Sequence, residues 1–157
     1  LSVAEPDNLE AKLNMLWASY YGGACIAHAG THLVHAMSYP LGGKYHIPHG
    51  VANAILLAPC FEWLRPLCVA KLARAYELVP GANMALDDEG KSHALVAYFA
   101  DLVQRLRLPA SLQELGIGRD HLPDLVKAAL DVQRLIKNVP GAVTGADIEK
   151  VYLKLFN

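Results

Sequence analysis

From Leu13 to Phe61 the chain carries a single formal charge, Lys44. Charge is scarce throughout, with 18% charged residues and a net charge of −1. No basic run or aromatic-basic interleaving occurs, which excludes the usual footprint of a nucleic-acid partner. There are only three cysteines (Cys25, Cys60, Cys68) and no CxxC pair. An odd, unpaired set argues against a disulfide framework and for a reducing, cytoplasmic setting. GxSxG, HExxH and P-loop motifs are absent, and the glycines of "YYGGAC" and "PLGG" follow no strand that could open a Rossmann-type helix. Despite the missing charge, Gly, Pro, His and Asn interrupt the apolar stretch too often for a membrane span, which needs about 18–20 apolar residues in a row. The expected alternative is helix buried inside a larger soluble protein. The start, "LSVAEPDNLEAKLNM", has no initiating Met and no basic-then-apolar signal pattern, so it reads as the middle of a longer chain.

The 157 residues, 54% of them hydrophobic, suit one compact domain spanning 1–157. Ala and Leu dominate, and no alternating stretch of strand length stands out, so the expected class is all-α. Asp7 or Asn8 can cap a helix over 8–27. A second helix over 29–38 should stop before Pro40, because the residue preceding proline disfavours the helical region, leaving "PLGG" as a turn. Pro48 fits the first position of a helix over 48–58. Further helices fit 60–79, 91–107, 120–137 and 145–156. Asp120 is the expected cap of the helix over 120–137, which places Leu122, Leu125, Val126, Ala129 and Leu130 on one face. Thr144 is the expected cap of the last, with Asp147 and Glu149 at the positive end of its dipole.

The histidines concentrate in the uncharged stretch. His28, His32 and His35 are spaced i, i+4, i+7 and would share a face if one helix carried them. A lone histidine is most often a packed group bonded to backbone, but three on one face would repel when charged and call for a metal or an anion. His49 stands beside Gly50, where a ligand can approach closely. Spacing alone lets His35 and His49 converge across a turn on one metal ion, with His28 or His32 or residues outside the chain completing the ligands, since zinc takes three or four. His46 lies in a short loop open to solvent. His93 and His121, among polar residues, read as solvated. Trp17, Tyr20, Tyr21 and Trp63 read as core or interface aromatics, and Cys60 and Cys68 as buried small hydrophobes. One alternative is a free-standing helical domain that binds metal or haem through His28, His32, His35 and His49 without catalysis. Another is a helical interaction domain whose histidines are structural.

The stretch "HAMSYPLGGKYHIPHGVANAILLAP" resembles the iron-containing (group III) alcohol dehydrogenases, whose signature is in effect H-[AG]-x-x-[HY]-x-[LI]-G-x(6)-H-G. "LEAKLNMLWASYYGGACIAHAGT" is similar to the family's helix leading into that motif. "NVPGAVTGADIEKVYLKLF" is similar to its terminal NNPR-x-[VT]-T-x-x-D segment and last helix. The resemblance covers nearly the whole chain but only the second half of the family's enzymes.

It implies the helical C-terminal domain of a dehydroquinate synthase-like fold, without the N-terminal α/β domain that binds NAD or NADP. It implies His35 and His49 as two ligands of a divalent metal, Fe2+ or Zn2+, the others being an Asp and a His of a D-x-x-x-H segment upstream of Leu1. Where many members carry a third histidine implicated in proton transfer, this chain has Tyr39. "SYP" and "HL-x-H" look like the branch that handles hydroxyacids and semialdehydes. Tyr39 and His46 are the implied proton-relay candidates. A phenol is a weak acid in water, so Tyr39 would need metal or cationic help. The implied substrate is a small alcohol or its aldehyde. The expected partners are a second copy or the missing N-terminal half, with no nucleic acid and no membrane.

Overall fold

The structure is a computed structural model that describes residues 1–156. Among these residues every regular element is helical: α1 (Leu9–Ala29), α2 (Leu33–Tyr45), α3 (His49–Tyr76), α4 (Asp88–Arg105), α5 (Leu122–Asp131), α6 (Gln133–Ile136) and α7 (Gly145–Leu153), with a 3-10 turn at Arg119–His121. The chain divides into two compact units, Leu1–Thr31 and the chain from His32 onward.

The first unit is α1 and the turns before it. Asn8 caps the helix as expected, its side chain accepting from the Ala11 amide at 2.9 Å. Within this unit the apolar side chains of α1 form no core of their own. Leu16 is 68% exposed, Tyr20 66% and Tyr21 61%. Within the unit, Trp17, Tyr20 and Tyr21 lie against one another, one pair stacked and two edge-on. No helix among the described residues is long and apolar enough to cross a membrane.

In the second unit α2 packs against α3 and α5, α3 against α4, and α5 against α7. Its core runs through Leu33, Met37 and Leu41 of α2, Leu56 of α3, Leu125 of α5 and Tyr152 of α7. The expected helix end before Pro40 does not occur. α2 continues through Pro40 and "LGG" to Tyr45. Proline there removes one backbone bond, to Ala36, but burial of Leu33, Val34, Ala36, Met37 and Leu41 outweighs the local preference. The helix stops where His46 turns left-handed (φ 56°, ψ 26°) and its amide donates to the Gly42 carbonyl. The expected break near residue 59 is also absent, because Pro59 lies inside α3 and is buried. The real irregularity comes at Cys68 (φ −149°, ψ 31°), two residues after Pro66, where the thiol donates to the Leu64 carbonyl at 3.3 Å. Cys60 is wholly buried and Cys68 half-buried, as their apolar surroundings led one to expect.

The last helices follow their capping chemistry unevenly. Asp120 is not the cap of α5; that place falls to His121, with no side-chain cap, because the 3-10 turn intervenes. Leu122, Leu125 and Ala129 are buried and Val126 and Leu130 half-buried, so the expected face is the packed one. Thr144 does cap α7, in a reciprocal box. The Asp147 amide donates to Thr144 Oγ1 at 3.3 Å, and the Thr144 amide donates to Asp147 Oδ2 at 2.9 Å. Trp63, half-buried, donates from Nε1 to the same carboxylate at 3.2 Å. The Thr144 hydroxyl and amide, helped by Trp63, hold the Asp147 carboxyl below the usual carboxylate range. A depressed pKa stabilises the fold above the unfolded value and loses that effect as pH falls through the folded one. Thr144→Ala is accordingly expected to cost about 1 kcal/mol at neutral pH. The deficit should shrink below about pH 3.9 as Asp147 protonates. Urea unfolding of both proteins across acid pH measures it.

Candidate metal centre

Gly30 interrupts the chain between the first two helices. Its φ of 72° and ψ of −172° lie outside helical space. His28 therefore ends α1, His32 precedes α2 as its N-cap residue, and only His35 lies within α2. No single helix therefore carries the three histidines, as a common helical face would require. His28 is bonded to its own helix, Nδ1 lying 2.9 Å from the Ala24 carbonyl. His32 turns its ring to Phe61, centroids 5.9 Å apart, and its Nδ1 is buried without a hydrogen-bond partner. Burial lowers the pKa of His32.

Three of the singled-out residues do come together. The turn His46–Pro48 carries the chain from α2 to α3, and His49 is the first residue of α3. Its ring centroid is 5.2 Å from that of His35. Tyr39, one turn after His35 on α2, lies 6.4 Å by centroid from each imidazole. His35 is half-buried, while Tyr39 and His49 are exposed, so the group is a surface patch with one sheltered member. Burial, and then the neighbouring His49 and His32 rings, push the pKa of His35 down and keep it an uncharged donor at neutral pH. His46 is exposed at the end of α2, and no ring contact among the described residues joins it to the patch.

A fourth member was not among the residues singled out. Asn53 follows His49 by one turn of α3, and its Nδ2 lies 3.0 Å from His49 Nε2 and 2.8 Å from the His49 carbonyl oxygen. The signal in the sequence was H-x-x-x-N at the start of a helix, the i, i+4 spacing that lets side chains meet. His93 is exposed as expected. His121 is not: it is half-buried with its ring edge-on to Tyr45, centroids 5.4 Å apart, because the 3-10 turn folds it against α2.

The donors can be tested against a divalent ion. Two imidazoles that each give one nitrogen at about 2.0–2.1 Å set their centroids roughly 4.5–5.3 Å apart for angles from octahedral to tetrahedral. The observed 5.2 Å lies in that span. Among the described residues no group of three or more His, Cys, Asp or Glu gathers at one point. The ring separation thus leaves room for one ion, to which the pair would give two donors of a larger set.

The family model described as "Fe-containing alcohol dehydrogenase family, C-terminal" matches residues 1–156. The chain belongs to the iron-containing alcohol dehydrogenase family. The family is one of oxidoreductases, and the expected all-helical C-terminal fold stands. The chain is 32% identical over 155 residues to long-chain-alcohol dehydrogenase 1 of Geobacillus thermodenitrificans, covering 99% of this chain and 39% of that protein. It is 29% identical over 169 residues to the mitochondrial hydroxyacid-oxoacid transhydrogenase of Rattus norvegicus, covering 96% of this chain and 35% of that one. The crystal structure of a 1,3-propanediol oxidoreductase superposes with a TM-score of 0.93 at 29% identity, covering 99% of this chain and 40% of that one. The chain thus spans about two fifths of the length of the relatives it matches.

Proposed function

We propose that this chain is the metal-binding helical part of an NAD- or NADP-dependent dehydrogenase that interconverts a small alcohol, in particular an ω-hydroxyacid, with its aldehyde. The observation that carries this reading is the approach of His35 and His49 across the α2–α3 turn, at a spacing suited to one ion. His35 and His49 would hold Fe2+ or Zn2+, with the remaining ligands and the nucleotide-binding domain supplied by residues outside this chain. Imidazole suits both metals. When bound, the ion acts as a Lewis acid on the alcohol oxygen. His35, kept uncharged by its burial, offers a lone pair without first losing a proton. Tyr39 stands beside both rings and reaches solvent, which supports its hydroxyl as the group that would pass the alcohol proton outward. His46, exposed at the end of α2, would be a second acceptor for that proton. Similarity to a hydroxyacid-oxoacid transhydrogenase supports a hydroxyacid among the substrates. The exposed apolar face of α1 supports association with a second copy or with the nucleotide-binding half. Three unpaired cysteines suit a reducing cytoplasm.

The test is hydride transfer between a nicotinamide cofactor and a series of small alcohols and ω-hydroxyacids, followed by absorbance in the intact enzyme. Chelation is expected to remove turnover, and Fe2+ or Zn2+ to restore it. Turnover that survives complete removal of metal overturns the reading.

A further inference from the structure

We propose that Asn53 fixes the tautomer of His49, making Nε2 the nitrogen that His49 offers to a ligand. The orientation of the Asn53 amide follows from its neighbours. One atom of the Asn53 carboxamide lies 2.8 Å from the His49 carbonyl oxygen. A carbonyl oxygen only accepts, so the atom facing it is the amide nitrogen. Turning the amide over would press two acceptor oxygens together at that distance. The orientation holds even though Asn53 Oδ1 is left buried and without a hydrogen-bond partner.

The nitrogen carries two hydrogens, and its second neighbour is His49 Nε2 at 3.0 Å. A nitrogen that receives a hydrogen there must present a lone pair. The proton of the neutral ring is then on Nδ1. In water a neutral histidine side chain prefers the opposite form, with the proton on Nε2, so Asn53 reverses the default. Both contacts span one helical turn, so the device is built into α3 and needs no other element.

For the metal reading, on which only its functional meaning rests, the consequence is specific. Nδ1 carries the proton and cannot ligate. Nε2 can, on displacing one amide hydrogen, while the other hydrogen stays on the carbonyl oxygen and keeps Asn53 in place. Asn53 is thus a positioning residue: it selects the ligand nitrogen before any ion arrives.

Long-range 1H–15N correlation spectra of the 15N-labelled chain in alkaline buffer, where imidazoles are neutral, read the tautomer directly, with His49→Ala assigning the signals. Wild type is expected to show His49 with Nδ1 protonated as the majority form, a shift of up to about tenfold from the free ring, which one net hydrogen bond sustains. N53A is expected to return the ring to a majority with Nε2 protonated. N53D, whose carboxylate only accepts, should do so more completely. The signals of His93 and His121 report whether each variant is folded. A wild-type His49 protonated on Nε2, or a tautomer unmoved in a folded N53A or N53D, overturns the proposal. Zinc titration of the same signals separates the two readings. If wild type shows the expected tautomer but zinc leaves His35 and His49 unshifted in the intact enzyme, the metal reading fails and the role of Asn53 stands.

Discussion

Tyr152→Ala is expected to destabilise the helical unit by about 3–5 kcal/mol, the range for removing a large aromatic from a packed core. Tyr152 has no exposed surface, and its hydroxyl donates to the Met37 carbonyl at 2.6 Å. Burial pushes the pKa of that phenol well up, so it is a neutral donor at any working pH. Met37 lies on α2 between His35 and Tyr39, so the bond fastens α7 to the turn of helix that presents the histidine patch. Tyr152→Phe keeps the ring and loses only the hydroxyl, leaving a buried acceptor with one partner fewer; about 1 kcal/mol is expected. Urea unfolding of the three proteins separates ring from hydroxyl. A Phe variant as damaged as the Ala variant would show that the hydrogen bond, and not the packing, holds α7 to α2.

His35→Ala is expected to weaken divalent metal binding to the intact enzyme by more than about a hundredfold, since losing a group that merely orients a ligand already costs 10–100-fold. The effect should exceed that of His32→Ala, although His32 belongs to the same apolar stretch, because His32 faces Phe61 and His35 faces His49. Competition with a chromophoric chelator measures both. Equal losses for the two variants would mean that the cluster acts by its bulk polarity and not as a pair of directed donors. His35 is half-buried in α2, so its replacement by Ala also leaves a small void. His35→Asn, of intermediate size, serves to separate that effect from ligation.

Much of the architecture was legible in local chemistry. The scarcity of β-branched alternation and the abundance of Ala and Leu determine an all-helical chain, because these preferences act within a few residues. Asn8 and Thr144 announce their helix starts for the same reason: a cap bonds to an amide three residues away and needs no tertiary partner. The pairing of His35 with His49 was visible as a spacing across a turn. Asn53 was equally local, as the H-x-x-x-N spacing at the start of α3, but that spacing gains a meaning only once the ring nitrogen it faces is known.

What the sequence by itself determined is therefore helical character, the cap of α7, the start of α1 to within Asp7 or Asn8, and the identity of the paired imidazoles. The tertiary structure alone decided that α2 runs through Pro40, that α3 runs through Pro59 and bends at Cys68, and that His121 leaves solvent for the face of Tyr45. A proline removes one backbone bond, a loss of a few kcal/mol that local preference counts in full. The buried side chains of α2 and α3 return more than that by packing against partners distant in the sequence. No window of neighbouring residues contains those partners, so no local pattern could show that the helices would continue.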